Sequence, residues 1–113
     1  MARQQADDLG RNDPPFLILT SLASGAKHGY ALTQDIEGFA GVRLGPGSLY
    51  GAITRLEQRG LIEALEADDR RRPYRITDAG RAALADSVLA LRTITDEASL
   101  RLAGAAPLAD GVA

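Results

Sequence analysis

One run constrains this chain more than any other: Gly45-Pro46-Gly47-Ser48-Leu49-Tyr50-Gly51-Ala52-Ile53-Thr54-Arg55-Leu56-Glu57-Gln58-Arg59-Gly60-Leu61-Ile62. Pro46 suits a first helical turn, where its missing N–H costs nothing, and Gly60 suits a helix stop. On a helix, Leu49, Ala52, Ile53 and Leu56 fall on one face and need a core to cover them. The other face carries Gly47, Ser48, Tyr50, Gly51, Thr54, Arg55 and Gln58. Gly51 in mid-helix costs about 1 kcal/mol relative to alanine, which calls for a reason such as close approach of another backbone. Tyr50 can both pack and hydrogen-bond a phosphate. The free amides around Gly47 and Ser48 form an anion site, without the lysine that a nucleotide-binding loop would add. Alone, this helix serves an ordinary amphipathic role as well as it serves DNA contact.

The segment beyond Gly60 shifts that balance. Leu61 to Ala67 can form a strand, Asp68-Asp69-Arg70 a turn and Pro73 to Ile76 a return strand. Glu63 to Glu66 could instead be helical by propensity, while Pro73 is acceptable at the first residue of a strand. Arg70, Arg71 and Arg72 at the tip could reach phosphates or a minor groove; the plainer use is a soluble turn partly neutralised by Asp68 and Asp69. The net charge is −2, yet Arg43 to Arg75 holds seven arginines against five acids. Distribution outweighs the sum, because charges more than about 8–10 Å apart are largely screened at physiological salt.

The flanks complete a mainly α chain with a small β-hairpin. Asp13-Pro14-Pro15 starts a first helix that Ser24-Gly25 stops, with Asp13 as cap. His28-Gly29 opens a second helix through about Phe39; Tyr30, Ala31, Leu32, Ile36 and Phe39 are its expected core contacts, and Gln34, Asp35 and Glu37 its solvent face. Thr77 caps a long fourth helix with Asp78 in its first turn. Leu84, Val88, Leu91, Thr95, Ala98 and Leu102 recur in steps of four and three, a coiled-coil-like seam that suits a two-fold partner. The expected organisation is a flexible tail over 1–12, a winged helix-turn-helix over 13–77, a dimerisation helix over 78–103 and a flexible tail over 104–113.

The chain has no cysteine, one histidine and one lysine, so no catalytic set, metal site or cofactor site can be assembled from its motifs. Asp68 and Asp69 are adjacent rather than convergent, and Asp35 and Glu37 do not face one another on a helix. No apolar run approaches a membrane span, and Met1 to Asn12 lacks the parts of a signal peptide. A cytoplasmic protein without membrane contact is expected.

The run from Pro46 to Ile62 resembles the recognition-helix region of PadR-type transcriptional regulators. So do His28-Gly29-Tyr30 upstream and Tyr74-Arg75-Ile76-Thr77-Asp78-Ala79-Gly80 downstream. The resemblance spans about Pro14 to Leu102 and is similar to the compact subgroup with a short C-terminal helix. It implies a homodimeric winged-helix repressor on double-stranded DNA, with Ser48, Tyr50, Gly51, Thr54 and Arg55 at the DNA. Arg70 to Arg72 then act as wing contacts, the fourth helix mediates dimerisation, and His28 caps or packs at the start of the second helix. Family members often bind small planar or apolar effectors between the dimer's helices. Here Phe16, Tyr30, Phe39, Tyr50 and Tyr74 all precede the fourth helix and there is no tryptophan, which leaves a leucine-lined apolar pocket in place of an aromatic sandwich. Gly45 and Pro73 depart from the family pattern, weakening the cap and altering the wing. The rival reading is a winged-helix protein-interaction module without sequence-specific DNA binding, which the acidic net charge favours.

Overall fold

Helix α1 (Pro14–Leu22) begins where two prolines fix the first turn. The computed structural model describes residues 13–112, with side chains through Gly104. The tail expected over 1–12 lies outside them. Asp13 takes the N-cap position and its carbonyl accepts the Leu17 N–H at 3.0 Å, but its side chain makes no cap bond, contrary to expectation. Strand β1 (Lys27–His28) and helix α2 (Gly29–Ala40) come next, then α3 (Pro46–Gln58), β2 (Ile62–Ala64), β3 (Pro73–Ile76) and α4 (Asp78–Val112).

The α3 stripe does what its spacing requires. Leu49, Ala52, Ile53 and Leu56 are buried against Ile18 and Leu22 of α1 and Leu32 and Ile36 of α2, with Leu61, Ile62, Tyr74 and Ile76 closing the core from the sheet side. Burying each large aliphatic chain contributes about 1.5–3 kcal/mol. Two expected core residues lie outside. Tyr30 is 66% exposed because it sits across α2 from the Leu32–Ile36 stripe, and Phe39 is 48% exposed in the last turn, where Ala40 and Val42 pack on the core instead.

Asp35, expected in solvent, is half-buried. Ser21 is almost wholly buried on α1 and donates its hydroxyl to Asp35 at 2.5 Å. Lys27 Nζ donates to the Ser21 carbonyl at 2.5 Å and lies 3.9 Å from the Asp35 carboxylate. A buried hydroxyl without a partner would cost about 1–3 kcal/mol, so this contact pins α1, β1 and α2 together.

The hairpin acquires a third strand. The antiparallel sheet runs β1-β3-β2, with Lys27 opposite Tyr74 on one side and Ile62, Glu63 and Ala64 opposite Ile76, Arg75 and Tyr74 on the other. Pairing also resolves Glu63–Glu66 against a helix: Ile62–Ala64 is strand, and Leu65 N–H donates to the Pro73 carbonyl at 2.8 Å.

Thr77 begins α4 as expected, its hydroxyl oxygen accepting the Gly80 N–H at 3.0 Å. The same hydroxyl donates to the Gly60 carbonyl at 2.7 Å, and Thr77 N–H donates to the Leu61 carbonyl at 3.1 Å. Ala83 and Leu84 still pack on the core; beyond them α4 is exposed. It has 35 residues, about 52 Å at 1.5 Å per residue. The helix continues to Val112, past the Gly104 where a tail was expected.

Gly80 is buried in that junction. A Cβ there would run into the Leu61 carbonyl oxygen and stand 2.7 Å from Ile76 Cγ1. Neither can move without shifting the sheet. Gly80→Ala should therefore lower unfolding stability by about 1–3 kcal/mol in urea or thermal melts, despite alanine's higher helix propensity.

Candidate nucleic-acid interface

With its stripe buried, α3 presents Gly47, Ser48, Tyr50, Thr54, Arg55 and Gln58 to solvent, and Gly51 half-exposed between them. Gly45 is the N-cap and supplies no side-chain bond, so the amides at the start of α3 remain available. Thr54 donates its hydroxyl to the Tyr50 carbonyl at 2.9 Å, which fixes its rotamer and leaves its lone pairs outward. Among the described residues, no backbone outside its own helix approaches Gly51. Its only neighbour would be Arg55 Nη1, 3.5 Å from the missing Cβ, so the expected close approach is not internal and the space opens outward. The Arg55 side chain makes no salt bridge or hydrogen bond among the described residues.

Tyr50 is held from behind. Its hydroxyl rests against Gly29, where a Cβ would collide with it and stand 2.9 Å from Cζ. That notch keeps the ring on the α3 surface while 49% of the residue stays exposed. Gly29 does not stand out in the sequence as a support for Tyr50, because nothing in the α2 pattern shows a contact with α3.

The wing turns tightly. Asp68 and Arg71 exchange backbone hydrogen bonds of 2.7 and 2.8 Å around Asp69 and Arg70, whose φ angles are 51° and 69°. Two left-handed central residues make a type I′ turn, the form that matches strand twist. Arg72 Nη1 donates to the Leu65 carbonyl at 2.8 Å, and Arg71 Nη1 lies 3.4 Å from His28 Nε2. Arg75, the fourth arginine of this segment, is paired with Glu63 on the neighbouring strand.

One hollow joins these parts. His28, Gly29 and Tyr30 from the β1–α2 junction, Tyr50 of α3, Tyr74 of β3 and the three tip arginines line it together. Burial pushes the Tyr74 phenol above its ordinary pKa, with Glu57 and Tyr50 adding to the rise and Arg72 opposing it. A second hollow along the start of α3 adds residues that sequence reasoning missed: Tyr30, Gln34 and Arg43. Gln34 Nε2 donates to the Tyr30 hydroxyl at 2.9 Å, while Arg43 is paired with Glu37 at 3.3 Å. The available signal was Tyr30's position, off the apolar phase of its own helix.

On α4, Leu84 is half-buried, while Val88, Leu91, Thr95, Ala98 and Leu102 are exposed along one face. Leu89, Ile94 and Leu100 are also exposed, off that seam. No helix among the described residues is long and apolar enough to cross a membrane, and no group of three or more His, Asp or Glu side chains among them could hold a metal.

Three helices, a small sheet with a basic tip and a long terminal helix keep the winged-helix order, and residues 18–86 match the model of the transcriptional regulator PadR-like family. The chain belongs to the PadR-like family. It is a DNA-binding transcriptional regulator, as the family's members are, and its structural neighbours are regulators rather than enzymes. A transcriptional regulator of Mycobacterium tuberculosis is 43% identical over 83 residues, 71% of this chain and 77% of that protein. An uncharacterised 37.1 kDa transposon protein of Streptomyces fradiae is 52% identical over 73 residues, 65% of this chain. This PadR-like chain spans only 21% of that protein's length. Among solved structures, a PadR family regulator from Eggerthella lenta superposes with a TM-score of 0.76 at 25% identity, covering 89% of this chain and 91% of that one.

The turn separates stability from contact. A left-handed conformation costs a non-glycine residue about 1–2 kcal/mol, against about 0.5–1 kcal/mol of extra chain entropy for glycine. Arg70→Gly should leave the melting temperature of this PadR-like protein unchanged or slightly raised while weakening duplex binding. A fall in both would assign Arg70 to the fold.

Proposed function

We propose that the chain is a homodimeric repressor that holds a near-palindromic operator and releases it on binding a small effector. The observation that carries this reading is the single hollow shared by Tyr50 of α3 and the arginines of the wing. It lets one duplex meet the α3 face and the tip at once. Each α3 enters a major groove with Ser48, Tyr50, Gly51, Thr54, Arg55 and Gln58 toward the DNA, Gly47 giving its amide, and Arg70 to Arg72 on flanking phosphates or the minor groove. Two copies joined along α4 through Leu84, Val88, Leu91, Thr95, Ala98 and Leu102 would set the half-sites about 34–36 Å apart, one helical turn. The groove on α4 lined by Leu84, Ala85, Val88 and Leu89, with Arg81 and Arg92 at its rim, supports an apolar effector.

Arg55 has the reach and the free guanidinium for a guanine edge. Arg55→Ala should cost about 1–3 kcal/mol on DNA from upstream of the chain's own gene and relax preference at one base position; unchanged affinity and specificity would remove Arg55 from the interface. Replacing Arg70, Arg71 and Arg72 together by alanine should flatten the salt dependence, each lost phosphate contact lowering the log–log slope by about 0.9. Leu91→Asp lies outside the core, so the domain should still fold, but sedimentation should shift it to a monomer with weaker DNA binding. A dimer that survives Leu91→Asp and Val88→Asp together would move the interface off this seam.

A further inference from the structure

Gly29 opens α2 and is buried, yet nothing in its backbone asks for glycine. Its φ is not among the positive values that Gly25, Gly41 and Gly60 adopt. A side chain is excluded instead by what stands beside it. The three atoms nearest to the position of a Cβ all belong to the Tyr50 side chain: Oη in collision, Cζ at 2.9 Å and Cε1 at 3.5 Å. No hydrogen bond fixes that phenol among the described residues, so shape alone seats it.

Gly80 offers the contrast. There a Cβ meets a backbone carbonyl that cannot yield, whereas at Gly29 it meets the far end of a half-exposed side chain. A methyl at position 29 would be accommodated by swinging the ring rather than by opening the core, and alanine is the better helix former. The ring has few places to go. Gly29 and Tyr50 line both the wing hollow and the hollow along the start of α3, so a displaced phenol enters one or the other. Both hollows lie on the face read as meeting DNA.

We propose that Gly29 is a positioning residue for DNA recognition: the absence of a side chain there parks the Tyr50 phenol against α2 and so sets how closely α3 meets a duplex. The inference rests on the DNA-binding reading of the α3 face, where Tyr50 sits. It gives a residue of the preceding helix control over a contact made by α3. Because the Tyr50 side chain brings no cation, the contact adds affinity and register without a share in counterion release.

Gly29→Ala tests it on duplex from upstream of the chain's own gene. The melting temperature should hold or rise slightly while affinity falls about tenfold, the scale of one neutral contact. The log–log salt slope should stay that of wild type, since no phosphate-binding cation is lost. Tyr50→Ala should also weaken binding, and adding Gly29→Ala to it should cost nothing more, because the side chain that Gly29 positions is gone. Proton NMR reads the seat directly: the Overhauser contact between Gly29 Hα and the Tyr50 ring should be present in wild type and lost in Gly29→Ala. A lowered melting temperature makes the glycine structural and overturns the assignment. Additive losses in the double variant, a flattened salt slope or an unmoved Tyr50 ring each overturn it as well. Wild type that binds no duplex sinks the DNA reading together with this inference, whereas undiminished binding by Gly29→Ala sinks this inference alone.

Discussion

The end of α3, the start of β2 and the start of α4 meet at one threonine, and the positions of the other elements depend on that meeting. Gly60 adopts a φ of 74°, which frees its carbonyl to accept the Thr77 hydroxyl while the Leu61 carbonyl accepts the Thr77 N–H. Thr77 in turn caps α4 through Gly80, whose missing side chain lets the helix sit directly on Leu61. Each bond alone is worth about 1 kcal/mol. Together they leave no slack between α3 and the helix that carries the exposed apolar seam. Orientation at one end of the molecule is thereby transmitted to the other without a flexible linker.

The sequence disclosed those parts of the fold that repeat. The α3 stripe has a helical period over four buried positions, and the wing emerges from strand, turn and strand in order. Strand β1 has two residues, too few for any period, and exists only because Tyr74 and Pro73 offer it hydrogen bonds. The type of the turn was equally hidden, since Arg70 follows Asp69 where glycine would have announced a type I′ turn. Tyr30 and Phe39 looked like core because aromatic character was read ahead of helical phase. Asp35 looked like solvent because its partner Ser21 lies on another helix. The Gly29–Tyr50 notch and the His28–Arg71 contact are both made by elements distant in sequence, and no local pattern encodes them.

Charge tells a similar story. A net charge of −2 argues against a nucleic-acid partner only if the arginines are treated alike. Arg43 and Arg75 are engaged by Glu37 and Glu63 on their own surfaces. Arg55 and Arg70 have no carboxylate partner among the described residues, and Arg71 and Arg72 contact only an imidazole and a carbonyl. Folding therefore leaves uncompensated arginines on the α3 face and at the wing tip, as it also does at Arg59, Arg81 and Arg92 among the described residues. Local potential over a Debye length, not the sum over the chain, governs what such a surface attracts.

The brevity of the sheet has its own consequence. Its two edges are β1, two residues long and carrying Lys27, and β2, three residues long with a charged Glu63. Edges so short and charged give a neighbouring chain almost no backbone to extend. Self-recognition through strand addition is closed off, and the exposed leucines of α4 are left as the apolar route by which one copy can meet another. The proposed dimer gains from having its apolar surface on a helix, where pairing about a two-fold axis consumes both faces and ends the assembly.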